Sequence, residues 1–225
     1  AGIPFAVGAL DHHVAAIGSG LERLADLSIS TGTVLAALAL VDEPTPQVGC
    51  YHGRHVDGTR FWRLAFDPNG AGQLEDYQRQ HARDHSIEEL LAMAARAPAG
   101  IAWRGASTDH GGAVRGVLER VAASHRNLVR TVLGAGANSR AVRRVVATGG
   151  GARSPLWLQI NADMLGVPVV TPSCPERACL GAAAFAAVAA GFYATIPNAT
   201  AAMVRLERVF EPNRARAALY RELVP

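Results

Sequence analysis

Apolar positions along the chain switch between two periods, and the switches mark out the elements. Residues 2–10 (Gly-Ile-Pro-Phe-Ala-Val-Gly-Ala-Leu) read as a short buried strand that ends at Asp11. His12, His13 and a small-residue helix through Ala15, Ala16 and Ile17 to Gly18 follow. Residues 26–30 and the apolar run 34–41 predict two more strands around the turn Ser30-Thr31-Gly32-Thr33. Asp42-Glu43-Pro44-Thr45-Pro46 then breaks the pattern and marks a lobe boundary. Beyond it, 50–55 and 60–66 predict an antiparallel pair around Asp57-Gly58, and 72–84 and 86–96 predict helices. Residues 98–109 read as loop. Val114, Val117, Leu118, Val121, Leu128, Val129 and Val132 recur at helical spacing, so 114–133 is one long amphipathic helix, ended by 134–138. Strands are expected at 145–148, 167–171 and 206–210, and helices at 155–165, 175–190 and 213–223.

The most informative stretch runs from Val145 to Ile160. A β-branched strand leads into Thr148-Gly149-Gly150-Gly151, where the missing Cβ atoms let a ligand approach the backbone closely. Ser154 suits an N-cap, Pro155 the first helical position and Gly166 the stop of the helix. A strand, a glycine turn and a helix N-terminus form a surface that favours negative charge, as a nucleotide carries. A tight connection in an ordinary α/β domain has the same residues.

Composition narrows the classes. A chain of 225 residues, 49% apolar, supports a packed core of one large domain or one and a half ordinary ones. Its 22 basic side chains are all arginine, which excludes a Walker A lysine, a Schiff-base lysine and a lysine general base. The net charge of +3 is small and the arginines are scattered, so no nucleic-acid stripe is expected. No run is long and apolar enough for a membrane span, and no secretion signal opens the chain. Cys50, Cys174 and Cys179 form no disulfide framework, which suits a reducing cytoplasm; Cys174 and Cys179 read as small buried hydrophobes.

Candidate chemistry is local. Asp11, at the carboxyl end of a strand, stands where α/β folds place reactive groups, although an N-cap would look the same. Ser30-Thr31-Gly32-Thr33 could hold phosphate oxygens or be a plain β-turn. His52 with His55, and His81 with His85, have metal-like spacing but no third ligand in a fitting motif, and a solvated helix face accounts for them better.

Taken in order, four segments resemble the C-terminal half of the FGGY carbohydrate kinases. Residues 4–20, with Gly8-Ala9-Leu10-Asp11-His12, are similar to the strand ending in the family's catalytic aspartate. Ser30-Thr31-Gly32-Thr33 is similar to its second phosphate-binding turn. Arg115-Gly116-Val117-Leu118-Glu119-Arg120-Val121 resembles its long-helix signature. Residues 148–169, with Glu176 and Leu180-Gly181-Ala182-Ala183, resemble its adenosine site and closing helix.

The resemblance implies an α/β, ribonuclease H-like lobe of the actin, hexokinase and Hsp70 ATPase kind, a mixed sheet flanked by helices. It implies ATP- and Mg²⁺-dependent phosphorylation of a sugar or polyol. Asp11 would be the general base, Asp11 and His12 would meet the sugar, Gly32 and Thr33 the phosphates, and Gly150, Gly151 and Ser154 the adenosine; no protein metal ligand is assigned. Residues 1–46 would be the tail of the first, sugar-binding lobe and 47–225 the nucleotide-binding lobe.

The family's Asp-x-Gly-Thr turn has no counterpart in this sequence, and residues 98–112 occupy the place of its Gly-Glu-Arg-x-Pro loop in altered form. A cytoplasmic fragment, inactive alone and prone to form a homodimer through uncovered sheet surface, is therefore expected, with no membrane or nucleic-acid partner. Two rivals compete: a non-catalytic actin-like nucleotide module, and a Rossmann oxidoreductase. The Rossmann reading lacks an acidic residue for the ribose after Val170-Thr171-Pro172.

Overall fold

The computed structural model describes residues 2–21, 24, 26–43, 46–70, 72–103, 109–134 and 142–224. Seven strands form one mixed sheet: β1 (Asp26–Thr31), β2 (Leu35–Val41), β3 (Tyr51–Arg54), β4 (Phe61–Asp67), β5 (Arg144–Thr148), β6 (Val169–Pro172) and β7 (Leu206–Phe210). Their order across the sheet is β3-β4-β2-β1-β5-β6-β7. The central β1, β5 and β6 are parallel, and the flanking pairs are antiparallel. Such a sheet does not suit the Rossmann reading, which needs a mostly parallel one.

Alternation along the strands sends their side chains to two different layers. Leu27, Ile29, Leu35, Ala37, Ala39, Val145 and Ala147 face the larger core. That core is covered by α4 (His110–Leu133), α5 (Pro155–Leu165), α3 (Ile87–Arg96) and, in part, α2 (Gly72–His81) and α8 (Arg214–Leu223). Ala36, Leu38, Leu40 and Leu64 face the other way, onto α1 (Asp11–Ile17). Behind α1 lie α6 (Arg177–Ala189) and α7 (Ile196–Met203).

Buried polar groups pin the layers. Asp26 is fully buried at the start of β1 and receives Arg143 at 2.7 Å and Arg144 at 2.8 Å from the start of β5. Glu119, buried on α4, accepts from the backbone N–H groups of Gly100 (2.8 Å) and Ala102 (3.1 Å), from Arg115 (3.1 Å) and from the Tyr220 hydroxyl (2.7 Å). Burial and the adjacent Glu119 push the Tyr220 hydroxyl well above its usual range. Arg63 of β4 donates to the Val132 and Leu133 carbonyls that α4 leaves open at its end.

Most predicted elements stand within a few residues of their expected limits, and the differences are specific. Residues 2–10 are not a strand. Among the described residues they join no ladder, and Ile3, Phe5 and Val7 are 94%, 89% and 82% exposed. An extended segment becomes a strand only where a neighbour satisfies its backbone. Asp11 therefore begins α1 rather than ending a strand. Helix α7 was not legible, because Ala-, Asn- and Thr-rich residues give no clear periodicity. Cys179 is exposed and Cys174 half-buried, not core hydrophobes. Helix α6 buries its Gly181–Ala184 side, which turns Cys179 outward. The lobe boundary expected at 46 falls between two strands of this one sheet, with Pro44 and Thr45 outside the described residues. Residues 135–138, expected to end the long helix, and 104–108 of the expected loop also lie outside them.

Candidate nucleotide and acceptor site

The carboxyl ends of β1 and β5 lie side by side, with Ser30 opposite Thr148 in the ladder. Two cross-strand hydrogen bonds lock these ends. Thr31 Oγ1 donates to the Thr148 carbonyl at 2.6 Å, and Thr148 Oγ1 donates to the Ile29 carbonyl at 3.1 Å. Both predicted turns leave from this point, so the chain places them together although they are over a hundred residues apart.

Each turn is gripped closely. Gly149 has φ +86°, and a Cβ there would stand 2.9 Å from the Gly32 nitrogen. On the other side Gly70 donates its N–H to the Thr33 carbonyl at 3.0 Å, and a Cβ at Gly70 would reach that oxygen at 2.3 Å. Both positions therefore require glycine. From below, His125 of α4 donates from Nε2 to the Ser30 carbonyl (3.0 Å) while its Nδ1 meets the Asn161 side-chain amide of α5 at 2.9 Å. Complete burial holds the His125 imidazole below its ordinary pKa, against the opposing pull of Ser30 and Asn161.

These constraints shape a cavity of about 590 Å³ whose walls include Gly32, Thr33, Gly150, Gly151 and Ser154. All five predicted nucleotide-site residues thus meet in one place. Leu74, Glu75, Ile87, Glu88 and Leu91 of α2 and α3 form the facing wall, which sequence reading missed because the two helices carry only ordinary amphipathic patterns. Gly150 is the one glycine of the triplet with open space above it: a Cβ there would meet nothing within 4 Å, whereas at Gly151 it would press on Trp157 at 2.9 Å. Ser154 caps α5 as expected, accepting from the Trp157 N–H at 3.3 Å, with Pro155 at the first turn and Gly166 in the left-handed region at φ +71°. The positive end of the α5 dipole favours an anion beside the cavity.

On the opposite face of the sheet, His12 lines a narrow crevice with Ser30 and Thr148. Its ring also meets Phe66 at 5.4 Å. Asp11, next to it, is exposed and accepts the His12 N–H at 2.7 Å. The crevice and the cavity are separated only by the strand tips, because Ser30 and Thr148 lead directly into Thr31-Gly32 and Gly149-Gly150.

The histidine pairs set aside as metal ligands have other neighbours, and the solvated helix face expected for them does not hold for His52, on β3, or for the buried His55. His55 is buried against His13, His81 lies over Tyr77, and His85 meets His110 ring to ring at 5.3 Å. Among the described residues no group of three His, Cys, Asp or Glu side chains could hold a metal ion.

The central parallel strands of the mixed sheet thus end in paired turns that open together on one cavity. Residues 84–190 match the FGGY family of carbohydrate kinases, C-terminal domain. The autoinducer-2 kinase of Yersinia enterocolitica is 43% identical over 76 residues, 34% of this chain and 14% of that protein. The crystal structure of xylulose kinase from Rhodospirillum rubrum superposes with a TM-score of 0.85 at 25% identity, over 96% of this chain and 49% of that one. Plasmodium falciparum glycerol kinase, solved with ADP, superposes at 0.79 and 14% identity, over 94% and 48%. The match to the C-terminal domain of the FGGY carbohydrate kinases covers a little under half of this chain, and the chain as a whole shares the fold of these kinase structures. It spans about half the length of the sugar kinases whose structures it matches. Among the described residues no helix is long and apolar enough to cross a membrane.

Proposed function

We propose that this chain supplies the ATP-binding half, and the general base, of an enzyme that phosphorylates a hydroxyl of a sugar or polyol. The observation that carries the reading is the single cavity lined by Gly32, Thr33, Gly150, Gly151 and Ser154, with Gly150 open towards it. The glycine turn and the start of α5 would seat the adenosine, and Gly32 and Thr33 the phosphates. The ADP named with the related glycerol kinase supports a nucleotide there. Mg²⁺ would be held mainly by nucleotide phosphates and water, its usual manner of binding.

Asp11 would accept the proton of the attacking hydroxyl, and His12 would contact the acceptor. Phosphoryl transfer is mostly positioning, so the base has only to orient the hydroxyl and take its proton. The shared sheet favours drawing the lobe division ahead of β1 rather than at residue 46.

Two measurements test the proposal. Calorimetric titration with ATP or ADP should show one site on the chain, weakened by Gly150→Val. In a polypeptide that also carries an upstream Asp-x-Gly-Thr segment, ATP consumption should rise with a sugar or polyol from a panel, and Asp11→Asn should abolish it while leaving nucleotide affinity within about twofold. Equal consumption with and without every acceptor would overturn the kinase reading. Collapse of ATP binding in Asp11→Asn would show that Asp11 has another role.

A further inference from the structure

A pair of buried groups takes no part in the reading above. His13 of α1 has Nε2 2.8 Å from Nδ1 of His55, in the turn after β3, and the two residues are 2% and 5% exposed. Their ring centroids are 5.1 Å apart, and the Trp62 indole lies 5.6 Å from His13. Forty-two positions of sequence separate the two histidines, so the contact ties one end of α1 to the β3–β4 hairpin.

That end of α1 needs a tether. Seven residues are too few for a helix to be stable alone. The other end is clamped by α6, where a Cβ at Gly18 would stand 2.0 Å from the Arg177 carbonyl oxygen. At the first turn, the hydrogen bond to another element among the described residues is the one from His13, directly after His12. We propose that His13 and His55 are positioning residues, whose hydrogen bond holds the Asp11–His12 turn against the carboxyl ends of β1 and β5. The functional consequence rests on the proposed roles of Asp11 and His12; the tether itself does not.

The bond has a protonation requirement. One imidazole must offer an N–H and the other a bare nitrogen. A fully protonated pair would oppose two donors, and a singly protonated one would hold a cation in an apolar setting. Around the pair, the hairpin contributes Asp57 and Arg60, ion-paired to each other, whose effects on His55 oppose. The same hairpin contributes Arg54, which donates to the Gly58 carbonyl. From α7 come only Ile196, Pro197 and Thr200, none of them titratable, and α1 adds Asp11 and His12. Burial, reinforced by His55, pushes the His13 imidazole down to about 4, and burial also lowers His55. The tether is therefore intact at neutral pH and is lost in acid.

The test reads imidazole nitrogens and ring contacts of the intact chain by NMR, with no nucleotide or sugar present. At pH 7 the expected result is one protonated and one bare nitrogen at the His13–His55 contact. His13 should take up a proton only near pH 4, and the His12–Phe66 ring contact should disappear across the same step. A His13 midpoint near the ordinary 6.5, or a His12–Phe66 contact that persists after protonation, would overturn the proposal. His55→Phe keeps a ring but removes its nitrogens, and should lose the His12–Phe66 contact at pH 7 while β1–β5 cross-strand contacts remain. His55→Asn, which returns an amide within reach, should restore it. A contact that survives His55→Phe would also overturn the tether, and if that variant does not fold the titration of the natural chain decides. An incorrect kinase reading would leave these results unchanged and would show instead as ATP consumption indifferent to every acceptor.

Discussion

The two sides of the sheet tip reach similar ends by different means. On the α4 face, one wall of the candidate cavity is made from two short segments, 31–33 and 150–157, whose shape follows from glycines, caps and one ladder, and α2 and α3 supply the facing wall. On the α1 face, the crevice depends on a seven-residue helix held by distant partners, His55 on one side and Gly181 on the other. Local chemistry shapes the first region, and packing across the whole chain shapes the second. Damage to long-range contacts should therefore disable the α1 face and spare the cavity, and the reverse should hold for changes in the turns.

The largest effect is expected where α1 meets α6. A Cβ at Gly181 would stand 2.1 Å from the Val14 carbonyl oxygen, so Gly181→Ala must push the helices apart. Chemical denaturation should show a loss of about 3 kcal/mol, the upper part of the range for overpacking. ATP affinity, measured below the transition, should change little. A loss of nucleotide binding equal to that of stability would break the proposed independence of the two faces.

Gly150→Val is the converse experiment. Its side chain enters open space, so stability should hold within about 0.5 kcal/mol, as for a surface change. Crowding of the adenosine seat should cost about 2 kcal/mol of ATP binding, roughly thirtyfold in Kd by calorimetry. Unchanged affinity would remove Gly150 from the site.

Acid should act on the α1 face through His13 and His55, and beneath the cavity through His125, which burial also holds below its ordinary pKa. His13 and His55 bind protons less readily in the folded chain than in the unfolded one. The unfolded state therefore takes up more protons between the ordinary 6.5 and the His13 value of about 4, and stability falls as pH drops through that window. Their contribution is complete above 6.5, and its loss towards pH 4 should be on the order of 2 kcal/mol. His13→Gln should flatten that part of a stability-against-pH curve. An unaltered slope would mean that other groups cause it.

The smallest expected effect is at the cap of α5. Ser154→Ala removes the acceptor for the Trp157 N–H and should lower stability by about 1 kcal/mol in denaturant titrations. Any larger fall in ATP affinity would indicate that the Ser154 hydroxyl also meets the nucleotide.

The two turns of the cavity were legible in the sequence because their signals are short-range. Ser154, Pro155 and Gly166 bracket α5 as their backbone preferences require, and the Gly149 turn needs a left-handed residue. His125 was overlooked, although a histidine on the apolar stripe of α4 is itself a sign that something polar waits opposite. That partner, the Ser30 carbonyl, lies 95 positions away, and no local pattern points to it. The same limit explains residues 2–10. Their apolar content suits a strand, but a strand is a relation between segments, and no ladder among the described residues includes them.

By itself, then, the amino-acid sequence determined most of the helices, strands and turns, residues 2–10 and α7 excepted, and which turns can approach a phosphate. Propensity, capping and the absence of a Cβ act within a few residues. Only the tertiary structure decided that Gly32 and Gly150 share one cavity, that α2 and α3 face it, and that His13 meets His55. Those pairings depend on how the strands order themselves in the sheet, which is selected by burial of both its faces at once.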